Sequence, residues 1–153
     1  MKVLSTNTYQ KGGWVLNMLR HKLGDETFWK GIRAYYKKYQ NLNAMTSDFQ
    51  QTMEEVSGEN LSNFFQQWIF TKGYPELKWD WKYKKGKIII NLSQTQDHHI
   101  FDFPLEIDIQ KDGKSTLSTI QVIQKNSSFK IEVDSRPEKV VIDPNLWLLF
   151  QEN

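Results

Sequence analysis

The spacing of apolar residues changes at Pro75, and this change restricts the possible fold more than any other feature. Before Pro75 apolar side chains recur every three or four residues, which is typical of one face of an α-helix. After Pro75 apolar and polar side chains alternate, as in a β-strand with one buried face. The sequence therefore predicts an α+β chain in two parts, helical over residues 1–73 and β-structured over residues 74–153.

About four short amphipathic helices are predicted in the first part. Asp25 is a favourable N-cap for the second helix. Thr46 or Ser47 is expected to cap the third, with Gln50 placed three residues after the serine as in a capping box. A fourth apolar pattern covers residues 61–70. These helices are short and lie close together in sequence, so a small helical subdomain is predicted for the first part.

About seven short strands are predicted in the second part. The turn signals at Gly86 and at Asp112-Gly113 predict two hairpins, and a last strand is predicted over residues 146–150. Short strands at this spacing indicate an antiparallel β-sandwich. The first strand carries an alternating aromatic ladder, which fits either a platform for sugar rings or the core face of the sandwich. The core face is favoured because a sheet of this kind must bury one side. The ladder consists of Leu77, Trp79, Trp81 and Tyr83.

Composition and charge exclude several classes of function. The net charge of +2 is small and no element carries a basic stripe, so a nucleic-acid partner is not predicted. The absence of cysteine excludes disulfides and thiolate metal sites. No apolar run approaches the roughly 20 residues of a membrane-spanning helix, so no membrane segment is predicted in this chain.

The histidines do not form a metal-binding pattern. A hydrolytic zinc needs three protein ligands and one open position. His98 and His99 are adjacent, so in a strand their side chains would point to opposite faces. His21 has no companion four residues away. We therefore expect loop or surface roles for all three histidines and no metal site in this chain.

Two long segments carry a family resemblance. Residues 8–39 read TYQKGGWVLNMLRHKLGDETFWKGIRAYYKKY, and residues 46–77 read TSDFQQTMEEVSGENLSNFFQQWIFTKGYPEL. With their Tyr-x-Lys-Gly start and GYP exit, both resemble the C-terminal part of the catalytic domain of the aminopeptidase N family of gluzincin zinc aminopeptidases. The rest of the chain resembles the immunoglobulin-like β-sandwich that follows that domain. The resemblance implies a catalytic-domain end at residues 1–73 and a sandwich domain at residues 74–153.

The resemblance also implies one catalytic residue. Tyr9 is the tyrosine of Tyr-x-Lys-Gly, which in the family points into the zinc site. There its hydroxyl stabilises the oxyanion that forms when zinc-bound water attacks the peptide carbonyl. Gly12 and Gly13 would let the helix sit close to the rest of the catalytic domain. From the residues alone, a tyrosine packed at a helix start is the favoured explanation of Tyr9, and the resemblance reverses this preference.

Three motifs of the family are absent from the sequence: the His-Glu-x-x-His helix, the downstream glutamate ligand and the Gly-x-Met-Glu-Asn strand. We therefore expect the chain to be a downstream fragment that is inactive alone and binds no zinc, whereas the parent enzyme uses zinc to hydrolyse peptides. The upstream catalytic domain is expected to pack on the helical half, and without it the fragment would self-associate. The alternative is a non-catalytic β-sandwich module that binds a glycan or a protein. The reading frame upstream of Met1 distinguishes the two.

Overall fold

Helices occupy the first half of the chain and strands the second half, as the change of apolar spacing predicts. The computed structural model describes residues 6–153, with side chains from Tyr9 onward. The chain divides into two compact units, the first ending at Lys72 and the second spanning Gly73–Asn153. The predicted fold class, a helical part followed by an antiparallel β-sandwich, is confirmed. No helix within the described residues is long and apolar enough to cross a membrane.

In the part of the helical unit that the structure describes there are four α-helices, and the last of them continues into a π-helical turn. Their apolar stripes meet in one core, formed by the buried side chains of Leu19, Phe28, Met53, Leu61 and Phe65. The helices are α1 (Thr6–Leu23), α2 (Asp25–Tyr39), α3 (Thr46–Ser57) and α4 (Ser62–Phe65), followed by the π-helical turn Gln66–Phe70.

The second helix begins differently from the prediction. Gly24, with φ of 76°, is the N-cap, and Asp25 is the first helical residue. The Asp25 carboxylate accepts hydrogen bonds from Nε and Nη2 of Arg20 at 2.8 and 2.6 Å. The prediction that Asp25 caps α2 is wrong, because the side chain binds the guanidinium of the preceding helix instead of the first backbone N–H groups.

The third helix also begins earlier than predicted, by one residue if Thr46 is taken as the cap and by two if Ser47 is. Met45 is the N-cap, and the Asp48 carboxylate accepts the backbone N–H of Met45 at 2.8 Å. Gln50 donates instead to Glu54 at 3.1 Å, within the helix. The predicted pairing of Ser47 with Gln50 is wrong because Met45 is the last extended residue, so Asp48 occupies the third helical position.

The sandwich unit consists of two sheets. One has the strand order β5-β2-β1-β7 and the other β4-β3-β6, and all neighbours are antiparallel except β1 and β7. Both tight hairpins use left-handed turn residues, at Lys85-Gly86 and Asp112-Gly113, as the sequence predicts. The strands are β1 (Glu76–Lys84), β2 (Lys87–Gln94), β3 (Phe103–Lys111), β4 (Lys114–Val122), β5 (Asn126–Glu132), β6 (Lys139–Ile142) and β7 (Gln151–Glu152).

The last strand lies outside the predicted residues 146–150. β7 spans Gln151–Glu152 and pairs with the first two residues of β1. The buried carboxylate of Asp143 accepts the backbone N–H groups of Trp147 and Leu148 at 2.9 and 3.0 Å. The apolar residues 146–150 therefore begin in a turn that the Asp143 carboxylate closes. This turn prevents the extended backbone that was predicted for them.

The aromatic ladder of β1 lies on the core face of its sheet, as predicted. Trp79 pairs with Leu92 and Trp81 with Ile90, and both partners are fully buried. Residues directly opposite each other in an antiparallel pair share one face of the sheet. Leu77, at the start of the ladder, is fully buried, whereas the aromatic side chains that follow are half-buried. The ladder therefore starts in the core and ends near its rim.

Candidate functional site

Tyr9 lies at the start of α1, on the side of the helix that its own unit leaves open. The unit uses the opposite side, where Val15, Met18 and Leu19 are buried. Tyr9 is 79% exposed, and Leu16 on the same helix is also exposed. The packed-tyrosine interpretation therefore finds no support within the described residues, because the ring is not buried by its own unit.

An open groove runs along α1 next to Tyr9. It is lined by Gln10, Gly13, Trp14 and Asn17, so it begins at the residue after Tyr9 and extends over about two helical turns. A Cβ added to Gly13 would meet no atom within 4 Å, and the same is true of Gly12. No neighbour within the described residues thus requires glycine at these two positions. Their predicted role, close packing of α1 against the rest of a catalytic domain, stays a prediction.

Lys11 fixes the start of α1 to the end of the helical unit. Its Nζ donates a hydrogen bond to the backbone carbonyl of Thr71 at 3.0 Å, and the Thr71 hydroxyl donates in turn to the carbonyl of Gln66 at 2.9 Å. Partial burial lowers the pKa of the Lys11 ammonium from its usual value. The sequence did not predict this contact. Its one signal in the sequence is that Lys11 is the lysine of the Tyr-x-Lys-Gly motif. The bond holds the turn that carries Tyr9.

The described residues do not fit a zinc ion. Within residues 6–153 no group of three or more His, Cys, Asp or Glu side chains is placed to hold a metal. His98 and His99 lie between β2 and β3, where both rings pack edge-on against Phe101, with centroids 6.3 and 4.9 Å away. His21 is exposed on α1. The three histidines therefore lie in a loop or at the surface, as predicted.

Two buried glutamines hold the segment that carries these histidines. Oε1 of Gln94 accepts the backbone N–H of Phe101 at 2.9 Å, and its Nε2 donates to the carbonyl of the same residue at 2.8 Å. Nε2 of Gln96 donates to Oε1 of Gln94 at 2.8 Å and to the carbonyl of His99 at 2.7 Å. These polar core contacts were not predicted, because glutamine at the end of a strand resembles an exposed residue in sequence.

Comparison with known proteins points to one family. The Peptidase family M1 domain matches residues 1–68. Aminopeptidase N of Lactococcus lactis is 41% identical over 71 residues, which cover 46% of this chain and 8% of that protein. Probable aminopeptidase 2 of Sulfurisphaera tokodaii is 31% identical over 143 residues, which cover 89% of this chain and 17% of that protein.

The resemblance to the aminopeptidase N family is confirmed. The fold agrees with it, because the crystal structure of aminopeptidase A from Legionella pneumophila matches 97% of this chain with a TM-score of 0.79. At 17% identity that match supports the fold alone, and it covers 18% of the Legionella chain. The chain therefore spans less than a fifth of the aminopeptidases described here.

The residues that match the Peptidase family M1 domain include Tyr9. The M1 domain match ends at residue 68, shortly before the first compact unit ends at Lys72. The assignment of residues 1–73 to a catalytic domain and of residues 74–153 to a separate sandwich domain stays a prediction. The role of Tyr9 in catalysis likewise stays a prediction.

Proposed function

We propose that this chain is part of a zinc-dependent aminopeptidase that removes N-terminal residues from peptides. The match of residues 1–68 to the Peptidase family M1 domain, with Tyr9 at the exposed start of α1, carries the proposal. Because residues 6–153 offer no metal-binding group, the zinc ligands come from another segment of the active protein. This chain contributes the end of the catalytic domain, and by itself it is inactive.

The open side of α1 supports a contact with that other segment. Tyr9 and Leu16 are exposed on this side, and the Cβ position of Gly13 is open. Apolar side chains beside an unfilled groove favour a docking surface over a solvated face. We assign the metal-binding segment as the partner of this surface. Tyr9 can act only if it lies close to the substrate, and the substrate is hydrolysed where the metal is bound.

The chemistry of Tyr9 follows from its phenol group. Hydrolysis of a peptide bond places negative charge on the carbonyl oxygen in the transition state. A hydrogen-bond donor aimed at this oxygen stabilises the transition state more than the neutral substrate. The Tyr9 hydroxyl is such a donor, and its exposure leaves it accessible to a bound peptide. The hydrogen bond from Lys11 to the Thr71 carbonyl keeps this end of α1 in place.

Substitution of Tyr9 by phenylalanine tests the proposal in the complete natural protein. Tyr9→Phe removes the hydroxyl and keeps the ring, so we expect kcat for an aminoacyl reporter substrate to fall by about 100- to 1000-fold. KM should change little, because the hydroxyl acts mainly in the transition state. Zinc content, measured by elemental analysis, should equal that of the wild type.

Tyr36→Phe is the matched control. Tyr36 is also exposed in the helical unit, and it lies on α2, a different helix from the one that carries Tyr9. Its loss of a hydroxyl should leave kcat unchanged. If Tyr9→Phe keeps kcat within a factor of about three, the oxyanion role is wrong. A purified 153-residue chain that binds one equivalent of zinc, or cleaves the reporter, would contradict the proposal that it is inactive alone.

A further inference from the structure

One edge of the four-stranded sheet is covered for only two residues. β7 pairs with Glu76 and Leu77, whereas β1 continues to Lys84. Over residues 78–84, β1 has β2 on one side and no other strand on the other side, within the part of the chain that the structure describes. We call residues 78–84 the free β1 edge. An unpaired edge of this length is a template for another strand.

The backbone direction of the free β1 edge follows from its neighbours. The carbonyl of Leu77 accepts the N–H of Asn153 at 2.9 Å on the β7 side, whereas the carbonyl of Glu76 accepts the N–H of Thr95 at 2.7 Å on the β2 side. Backbone polar groups of alternate residues in a strand point to the same side. The N–H and C=O groups that point outward therefore belong to Trp79, Trp81 and Tyr83.

The side chains of the free β1 edge differ strongly between its two faces. The three aromatic residues are half-buried on the core face, so part of each ring remains accessible. On the other face Lys78, Lys82 and Lys84 are exposed, and none forms an ion pair with a residue of the described chain. Asp80, which lies between them, accepts a hydrogen bond from Asn91 Nδ2 at 2.8 Å. The outer face is therefore cationic and the inner face aromatic.

We propose that the free β1 edge binds an extended acidic peptide segment, which adds to the sheet as a further strand. The partner's backbone pairs with the outward N–H and C=O groups of β1. Its acidic side chains lie next to the three lysines, and its apolar side chains, at alternate positions, pack beside the half-buried rings. The expected partner sequence thus alternates acidic and apolar residues.

The same lysines disfavour a second copy of this chain as the partner. Antiparallel pairing of two β1 strands about Trp81 would place Lys78 of each copy opposite Lys84 of the other, and Asp80 opposite Lys82. Each edge brings three lysines and one aspartate, so a net repulsion between the two copies remains. Like charges directly opposite in a pair of strands are destabilising. Edge lysines commonly prevent self-pairing in this way. An acidic segment removes the repulsion and pairs the three cations, so charge complementarity selects it.

A synthetic peptide tests the proposal with the 153-residue chain. The probe has about eight residues of alternating glutamate and valine, capped at both ends, which is the length of an ordinary strand. Binding is measured by titration calorimetry, and amide hydrogen exchange is followed residue by residue. We expect binding to protect the outward amides of Trp79, Trp81 and Tyr83, while a peptide of alternating lysine and valine should not bind.

Two charge-reversal variants distinguish binding at the free β1 edge from attraction by the net charge of the chain. Both replace three exposed lysines by glutamate, so their net charges are equal, and circular dichroism checks their folding. The edge variant should bind the acidic peptide at least about tenfold more weakly, because three ion pairs become repulsions, whereas the control should bind it as the wild type does. The edge variant changes Lys78, Lys82 and Lys84, and the control variant changes Lys114, Lys125 and Lys130.

Three results would overturn the proposal. The first is no binding of the acidic peptide, or binding without protection of the three outward amides. The second is an equal loss of binding in the edge and control variants, which would indicate attraction by overall charge. The third is a dimer of the chain in sedimentation experiments that protects the same amides without peptide, which would make a second copy the partner.

Discussion

A central strand of the sandwich and the first helix of the helical unit differ in how completely their apolar side chains are buried. In the sandwich the inner residues of β2, Ile88, Ile90 and Leu92, are all fully buried by the unit itself. In the helical unit α1 buries one side and leaves Tyr9 and Leu16 exposed beside an open groove. The inner residues of β2 are thus explained by the sandwich itself, whereas the exposed apolar side chains of α1 are not explained by the helical unit.

The units also differ in where they place charge. The ion pairs of the helical unit, such as Arg20 with Asp25 and Lys22 with Glu59, lie at its surface. In the sandwich the carboxylates of Asp108 and Asp143 are buried and hydrogen-bonded. Surface pairs contribute little to stability, while a buried carboxylate depends on its donors. Acid should therefore lower the stability of the sandwich by protonating buried carboxylates, which the described part of the helical unit does not contain.

The largest expected contrast is between a sandwich core residue and an exposed α1 residue. Ile90→Ala should lower the free energy of unfolding by about 2–5 kcal/mol, because it leaves a cavity in a closed core. Leu16→Ala should change it by less than about 0.5 kcal/mol, as at other surface positions. Urea unfolding of the 153-residue chain measures both. A cost for Leu16→Ala as large as that for Ile90→Ala would show that the side of α1 carrying Leu16 is already covered.

A second contrast lies between two glycines of the helical unit. A Cβ on Gly31 would lie 2.4 Å from Sδ of the buried Met53, so Gly31→Val should cost about 1–3 kcal/mol through overpacking between α2 and α3. Gly13 meets no atom within 4 Å, so Gly13→Ala should raise stability by up to about 1 kcal/mol through helix propensity. Thermal unfolding followed by circular dichroism measures both changes.

In the complete natural protein, Gly13→Ala also tests whether α1 docks through its open side. If α1 docks there through its open side, Gly13→Ala should reduce aminopeptidase activity while it stabilises the isolated chain. A Gly13→Ala variant with unchanged activity would mean that this position is not in the interface. A loss of stability in the isolated chain would instead show that Gly13 is packed within its own unit.

The smallest expected effect concerns the acid stability of the sandwich. Hydrogen bonds from the Ser115 hydroxyl and from Gln110 hold the pKa of Asp108 below its usual value, with a further contribution from the charge of Lys139. A lowered folded-state pKa means that the stabilisation is complete above the unfolded pKa of about 4 and is lost as the pH falls through the folded pKa.

Asp108→Asn tests this linkage. The variant should be less stable than the wild type at pH 7. The difference should shrink as the pH falls below the unfolded pKa of about 4 and on through the lower folded-state pKa, where the folded wild-type carboxylate becomes protonated. Urea unfolding at neutral pH, at about pH 4 and at about pH 3 measures the difference. A deficit of Asp108→Asn that stays constant over this range would show that the Asp108 charge does not contribute to folding.

The sequence alone predicted those features that depend on neighbouring residues. The change of period at Pro75 indicated the order of helices and strands, and the residues at Lys85-Gly86 and Asp112-Gly113 indicated the two tight hairpins. Tyr9 was recognised through a local motif, and the family resemblance that this motif supports is confirmed. Such features are readable because backbone preferences and apolar spacing act within a few residues.

Tertiary structure decided what depends on residues far apart in the chain. The turn closed by Asp143 moved the last strand to Gln151–Glu152, and there β7 covers only the beginning of β1. Whether a glycine is crowded depends on another helix, as Met53 shows for Gly31. No local pattern encodes these distances, because they arise only when separate elements pack together. The exposure of Tyr9 and the free β1 edge are therefore properties of the folded chain.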